Sequence, residues 1–157
     1  MILKGIIDED FINYRKPAMV LEFPYCSFKC DKECGMQVCQ NSTLATAPNI
    51  NVSIDYIVQR YIRNPITSAV VLQGLEPLDS WYDVIGFIHT FRKETNDDVV
   101  IYTGYIETET CTSIQELYKY NNIYIKFGRF IPNQEPHYDE VLGVNLASDN
   151  QYGKKIS

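Results

Sequence analysis

The chain has 157 residues, 45% hydrophobic, 22% charged and 13% aromatic, an ordinary globular composition long enough to bury ~70% of the unfolded chain's surface. Fourteen Lys and Arg against twenty Asp and Glu give a net charge of -6, which leaves no broad basic footprint for nucleic acid. No apolar run approaches the ~20 residues of a membrane span, and Met1 to Asp10 turns acidic before a signal-peptide core could form. The expectation is a single domain over residues 1–157, cytoplasmic, with neither a nucleic-acid nor a membrane partner.

Ala18 to Phe23 is a short apolar run rich in strand formers; it stops at Pro24 and leads straight into the cysteines. Similar runs lie at Ser68–Gln73 before Gly74, Asp98–Thr103 before Gly104, and Asn122–Phe127 before Gly128. Between them are three segments of helical period. Ser53 to Arg63 places Ile54, Ile57, Val58 and Tyr61 on one face behind a Ser53 N-cap. Trp81 to Lys93 aligns Trp81, Val84, Ile85 and Ile88, with Asp79 or Ser80 available as cap. The third begins at Ser113-Ile-Gln-Glu116, a capping-box pattern, carries Ile114, Leu117 and Tyr118 inward, and ends at Asn121-Asn122. The tail after Pro132 offers one more strand, Glu140–Leu146, and otherwise reads as ordered loop.

Strands alternating with helices predict an α/β fold with a parallel sheet, whose strands gather their C-terminal ends on one ligand-binding edge. That edge would collect the cysteine loop, Gly74, Gly104 and Gly128. Four strands and three helices are too few for a closed eight-stranded barrel of roughly 250 residues, so an open sheet or partial barrel is expected.

Four of the five cysteines fall between Cys26 and Cys39. An odd count without an export signal argues for metal rather than disulfides. Structural zinc sites generally use two paired knuckles separated by a longer loop. Here Cys26, Cys30, Cys34 and Cys39 are separated by three, three and four residues, which favours an iron-sulfur cluster and leaves zinc as the alternative. Four thiolates complete a cluster and suit electron transfer; three leave one iron open for catalysis.

At this loop the sequence resembles the radical S-adenosylmethionine superfamily, whose usual motif is C-x3-C-x2-C after the first strand. Cys26 and Cys30 match its first half. The third ligand is either Cys39 or Cys34. Cys39-Gln-Asn-Ser-Thr43 resembles the Cys-x-Asn followed by Ser or Thr of the small activating enzymes, which favours Cys39 and leaves Cys34 as a spare thiol. Gln73-Gly74-Leu75-Glu76-Pro77 resembles the superfamily's Gly-Gly-Glu-Pro segment, with Leu75 at the second glycine; taken by itself it also reads as a strand-to-helix turn. Tyr102-Thr103-Gly104-Tyr105 resembles the Tyr-Thr-Gly-Tyr element of the activating proteins of anaerobic, class III, ribonucleotide reductases. Gly128-Arg-Phe-Ile131, preceded by Phe127 where Asp is usual, and Ala147-Ser-Asp-Asn-Gln151 resemble two later segments of that family.

The resemblance implies a small radical-SAM-type partial (β/α) barrel with a mostly parallel sheet. It implies a 4Fe-4S cluster on Cys26, Cys30 and Cys39, and S-adenosylmethionine beside Gly74, Leu75, Glu76, Thr103 and Gly104. The implied activity is reductive cleavage of S-adenosylmethionine to a 5'-deoxyadenosyl radical, which forms a glycyl radical on the large catalytic subunit of an anaerobic ribonucleotide reductase. A one-electron donor such as flavodoxin is implied as well. The competing readings are a radical enzyme with another substrate and a non-catalytic iron-sulfur or zinc module using all four clustered thiols.

The remaining chemistry-bearing residues have plainer roles. Tyr25 and Phe28 are placed to shield a cluster from solvent. His89 and His137 lack partners at metal-ligand spacing, Cys111 reads as a small semi-buried residue, and Lys154-Lys155 reads as solvated. Glu94, Asp97 and Asp98 read as a polar turn between helix and strand.

Overall fold

In the computed structural model, residues 1–157 are described in full apart from the side chains of Cys111 and Ser113. The chain runs through β1 (Ile2–Leu3), β2 (Gly5–Asp10), β3 (Ala18–Phe23), α1 (Lys29–Cys34), α2 (Ser42–Thr46), β4 (Ile50–Asn51), α3 (Ile54–Ile62) and β5 (Ala69–Gly74). A 3-10 turn (Pro77–Ser80) follows, then α4 (Trp81–Glu94), β6 (Asp98–Tyr102), α5 (Glu107–Leu117), β7 (Ile123–Phe127), β8 (His137–Asp139), β9 (Val144–Leu146) and β10 (Tyr152–Lys155). Six strands form one sheet in the order β10-β7-β6-β5-β3-β2. The inner four run parallel and the two edge strands pair antiparallel, so the fold is α/β with a mixed, mostly parallel sheet.

Side chains alternate across this sheet, as the two-residue strand period requires. Met19, Leu21 and Phe23 of β3, Val70 and Leu72 of β5, Val99 and Ile101 of β6, and Ile123 and Ile125 of β7 point to the face covered by α3, α4 and α5. Those helices contribute Ile57, Val58 and Tyr61, then Val84, Phe87, Ile88 and Phe91, then Ile114 and Leu117. The opposite face carries Ala18, Val20, Ala69, Val71, Val100 and Tyr124, and is closed by Tyr14, Leu142 and Leu146 rather than by a helix. Parallel strands buried on both faces read as continuous apolar runs, which is why the four inner strands stand out in the sequence.

Helix α3 starts as its cap predicts, with Ser53 Oγ accepting from the Tyr56 N–H; α4 begins at Trp81 behind Ser80, but the Ser80 hydroxyl makes no cap hydrogen bond. Asp79 does not cap α4; it turns toward the cysteine loop. The third helix departs from expectation. It begins at Glu107, where the Glu109 carboxylate accepts from the Ile106 N–H at 3.0 Å. Ser113 therefore does not open the helix, and its side chain, like that of Cys111, lies outside the described residues. Ile114 and Leu117 are buried, but Tyr118 is exposed at the helix end.

The tail carries more strand than expected. Glu140–Leu146 is a strand only over Val144–Leu146, which pairs with β8 as an antiparallel hairpin. Tyr152–Lys155 forms the β10 edge of the main sheet. Lys154 is not simply solvated, since it pairs with Glu107. Among the described residues no helix is long and apolar enough to cross a membrane.

Candidate iron-sulfur site

The C-terminal ends of β3, β5, β6 and β7 surround a cavity of about 340 Å³. Its wall includes the thiols of Cys26, Cys30 and Cys39, the segments Gln73–Glu76 and Tyr102–Gly104, and the side chains of Lys126 and Phe130. Gly74, Leu75, Glu76, Thr103 and Gly104 are thus brought together with three of the four clustered cysteines. Cys34 is not on this wall.

The separation of the cysteines follows from the local fold. Phe28 takes a left-handed conformation (φ 51°) and opens α1, which carries Cys30 in its first turn and Cys34 as its last residue. Gly35, at φ 67°, ends the helix as left-handed glycine caps do. The chain then folds back, and the Asp31 carboxylate accepts from the backbone N–H groups of both Val38 and Cys39 at 2.8 Å. This return brings Cys39 to the cavity. Asn41 next secures the loop by donating from Nδ2 to the Gly74 carbonyl at 2.7 Å.

The cysteine loop also extends the parallel pairing of β3 and β5. Leu75 N–H donates to Phe23 O at 3.2 Å and Glu76 N–H to Tyr25 O at 2.7 Å. Gly74 has φ 100°, and a Cβ there would sit 2.7 Å from Phe23 N. It is this glycine, not residue 75, that the turn requires; Leu75 has no positive φ. Glu76 is buried and fully engaged: one oxygen accepts from the Thr103 hydroxyl at 2.8 Å and Leu78 N–H at 3.1 Å, the other from Gly104 N–H at 2.8 Å. Burial nevertheless pushes its pKa up to about 7, with the hydrogen bonds opposing the rise.

Burial raises the Cys26 thiol to about 11, although Phe28 N–H donates to its sulfur at 3.2 Å. Cys30 is also raised by burial, partly offset by a hydrogen bond from the Phe130 backbone. Thiols held protonated must release those protons to bind a metal. Lys126 is buried on the same wall, and desolvation lowers its pKa to about 8.

Several residues here were not singled out in the sequence. Asp31 and Lys126 carry no motif of their own and become visible only when the strand ends meet; Asn41 and Phe130 lie in quoted motifs, but their places at the cavity come from the fold. Arg129 belongs to a quoted motif, but its partners do not: it pairs with Glu33 of α1 at 3.1 Å and with Glu109 of α5 at 2.6 Å. Asp79 accepts from Ser27 N–H at 2.8 Å and from the Tyr105 hydroxyl at 2.5 Å. Gln151 accepts from Ala147 N–H at 3.0 Å and donates to Gly128 O at 3.3 Å, tying the closing segment to the end of β7. Tyr25 and Phe28 do not line the cavity; Tyr102 and Phe130 are its aromatic walls. His89 lies near Tyr120 and His137 on β8, both away from the cavity. Tyr61 donates to Asp97 and Tyr14 to Asp98, so those carboxylates serve the fold.

Among the described residues no three Cys, His, Asp or Glu side chains close on a single metal ion. A cluster makes a different demand, because each thiolate binds its own iron. Three thiols spread along one cavity wall, two of them receiving backbone N–H bonds, fit that demand. Fold and site define an α/β protein with a thiol-lined pocket at its parallel strand ends. Residues 18–151 match the family described as the 4Fe-4S single cluster domain, and the chain belongs to that family. It is therefore an iron-sulfur protein with a 4Fe-4S cluster as its cofactor. No curated protein and no solved structure matches the chain.

Proposed function

We propose that this protein is a radical S-adenosylmethionine enzyme, the activating enzyme of an anaerobic ribonucleoside-triphosphate reductase. The observation that carries the reading is the presence of three thiols, Cys26, Cys30 and Cys39, on one cavity while Cys34 stands off it. Three cysteine ligands leave one iron open to a further ligand. The strand order β3-β5-β6-β7, without reversal, supports reading the sheet as a small partial (β/α) barrel.

In this reading Cys26, Cys30 and Cys39 would hold the cluster, which would supply the electron for cleaving S-adenosylmethionine to methionine and a 5'-deoxyadenosyl radical, the hydrogen acceptor toward a glycine of the large reductase subunit. The chain supplies binding, orientation and exclusion of water. Asp31 and Asn41 fix the loop bearing Cys39. Glu76 clamps the end of β5 to Thr103 and Gly104, so that the two cosubstrate-facing strand ends move as one. Tyr102 and Phe130 restrict solvent. A flavodoxin-like donor would deliver the electron in the cytoplasm.

The test is anaerobic reconstitution with iron and sulfide, then reduction with S-adenosylmethionine and an assay for 5'-deoxyadenosine, with and without a class III reductase. Nucleoside formation, with a glycyl radical signal on the reductase, is the expected result. Nucleoside without that signal would point to another substrate. A loaded cluster with no nucleoside under either condition would replace the proposal with a closed, non-catalytic module.

A further inference from the structure

Cys26 and Cys30 line more than the main cavity. They also line a second, small pocket of about 20 Å³, whose other walls include Ser27, Lys29, Tyr105 and Arg129, none of which lines the main cavity. That volume has room for one water and not for a ligand. The two thiols therefore have a ligand side and a solvent side.

Tyr105 is the aromatic wall of the small pocket, and it is fixed at three points. Its N–H donates to the Thr103 hydroxyl at 3.0 Å, and its carbonyl accepts from Gly128 N–H at 3.0 Å. Its own hydroxyl donates to Asp79 at 2.5 Å, and the same carboxylate accepts from Ser27 N–H at 2.8 Å, which ties the ring to the residue after Cys26. Lys29 Nζ lies 4.2 Å from the ring centroid and Arg129 Cζ 6.0 Å, both within reach of a cation–π attraction. Those two cations are themselves held by Glu109, and Arg129 by Glu33 as well. Tyr25 is the opposite case: it is 48% exposed and lines neither pocket.

An electron added to a thiolate-ligated cluster increases its negative charge. Water beside the cluster stabilises that form and raises the reduction potential, whereas excluding water lowers it. Solvent-accessible thiolates are also the ones oxidised first. We propose that Tyr105 is the solvent shield on the outer side of the cluster, keeping water and dissolved oxygen from Cys26 and Cys30 and so holding the reduction potential low. Tyr105 is a positioning residue in this role; it is not a ligand and takes no part in bond making. The inference goes beyond the reaction proposed above and rests only on the 4Fe-4S cluster of the family.

The experiment compares wild type, Tyr105→Phe, Tyr105→Ala and Tyr25→Ala, each reconstituted anaerobically with iron and sulfide and studied without S-adenosylmethionine, so its outcome is independent of the reaction. The readouts are the midpoint potential from a dye-mediated redox titration, the bleaching rate of the cluster absorbance in air, and the anaerobic rate of iron loss to a chelator. Tyr105→Ala is expected to shift the one-electron equilibrium toward the reduced cluster roughly tenfold, about 59 mV, and to bleach several-fold faster in air. Tyr105→Phe, which keeps the ring, and Tyr25→Ala should stay close to wild type in both. An unchanged potential in Tyr105→Ala would overturn the shield, and faster anaerobic iron loss at that unchanged potential would make Tyr105 a prop for the loop instead. A shift in Tyr25→Ala as large as that in Tyr105→Ala would overturn it too. If Tyr105→Ala holds too little iron to titrate, Tyr105→Val takes its place with the same outcomes.

Discussion

The carboxylate of Asp31 accepts a hydrogen bond from the backbone N–H of Cys39 at 2.8 Å, and the same oxygen accepts from Val38. One acidic side chain on α1 thereby sets the position of a cysteine eight residues further on. Asp31→Ala leaves two N–H groups without their acceptor, a loss of about 1–3 kcal/mol from the loop. The expected outcome is a chain that keeps its sheet but retains iron poorly, measured as iron per protein after gel filtration and by far-ultraviolet circular dichroism. Asp31→Asn, which keeps a side-chain oxygen, should lose less iron.

Cys34 and Cys39 are separated by their surroundings rather than by spacing. Cys34 ends α1 off the cavity, whereas Cys39 lies on its wall. Cys34→Ala should therefore bind iron and sulfide as wild type does, and Cys39→Ala should lose most of both. Visible absorption near the thiolate-to-iron bands, with iron and sulfide assays, checks this. Equal loss in the two variants would make Cys34 a ligand.

The sequence made the four inner strands and two of the helices legible because burial on both sheet faces and the helical period leave strong apolar patterns. The edge strands were hidden for the opposite reason. Gly5–Asp10 and Tyr152–Lys155 are polar and half exposed, and what holds them is pairing with β3 and β7. Helix α5 was started too late because its first turn, Glu107 to Thr110, has no apolar period, and its cap comes from Glu109 reaching back to Ile106. At the site, the motifs located the strand ends correctly in space. The supporting residues were invisible because Asp31, Lys126 and the partners of Arg129 act through contacts between segments distant in the chain.

Glu76 makes stability depend on pH near neutrality. Its carboxyl is raised from 4.5 to about 7 by burial, so the folded chain binds more protons than the unfolded chain between those values. Stability therefore falls as pH rises through that window. The decline is on the order of 3 kcal/mol if the whole shift is expressed. Urea unfolding between pH 5 and 8 should show the slope, and Glu76→Gln should flatten it. That variant should also be less stable at pH 5, because its amide presents N–H toward Gly104 N–H.

Gly74 and Leu75 make opposite predictions despite their adjacency. Gly74→Ala places a Cβ against Phe23 N and Glu22 Cα at φ 100°, so backbone must move, at a cost above ~1 kcal/mol. It should also disturb the carbonyl that Asn41 holds. Leu75→Gly, which restores the Gly-Gly pattern of the resembling family, removes no left-handed strain and should cost ~0.5–1 kcal/mol through chain entropy. Thermal unfolding of the two variants separates them.

Arg129 joins α1 to α5 beneath the cysteine loop. Its side chain is 8% exposed and pairs with Glu33 and Glu109, and Lys29 of α1 adds a second bridge to Glu109 at 3.2 Å. The guanidinium holds the Glu109 carboxyl down at about 2, so the bridge stays charged at neutral and mildly acid pH. Arg129→Met keeps much of the side-chain volume but leaves the exposed Glu109 carboxylate with only Lys29, and frees Glu33 altogether from this contact. The guanidinium is buried while both carboxylates reach solvent, so what the variant removes is mainly the tie between α1 and α5. The consequence should appear at the loop before it appears in the fold: cluster loss to an iron chelator should quicken several-fold, while the urea midpoint shifts modestly. Arg129→Lys keeps the charge but loses the planar two-pronged contact and should fall between. If chelation rates are unchanged in Arg129→Met, the bridge does not restrain the cysteine loop, and Asp31 with Asn41 must hold it unaided.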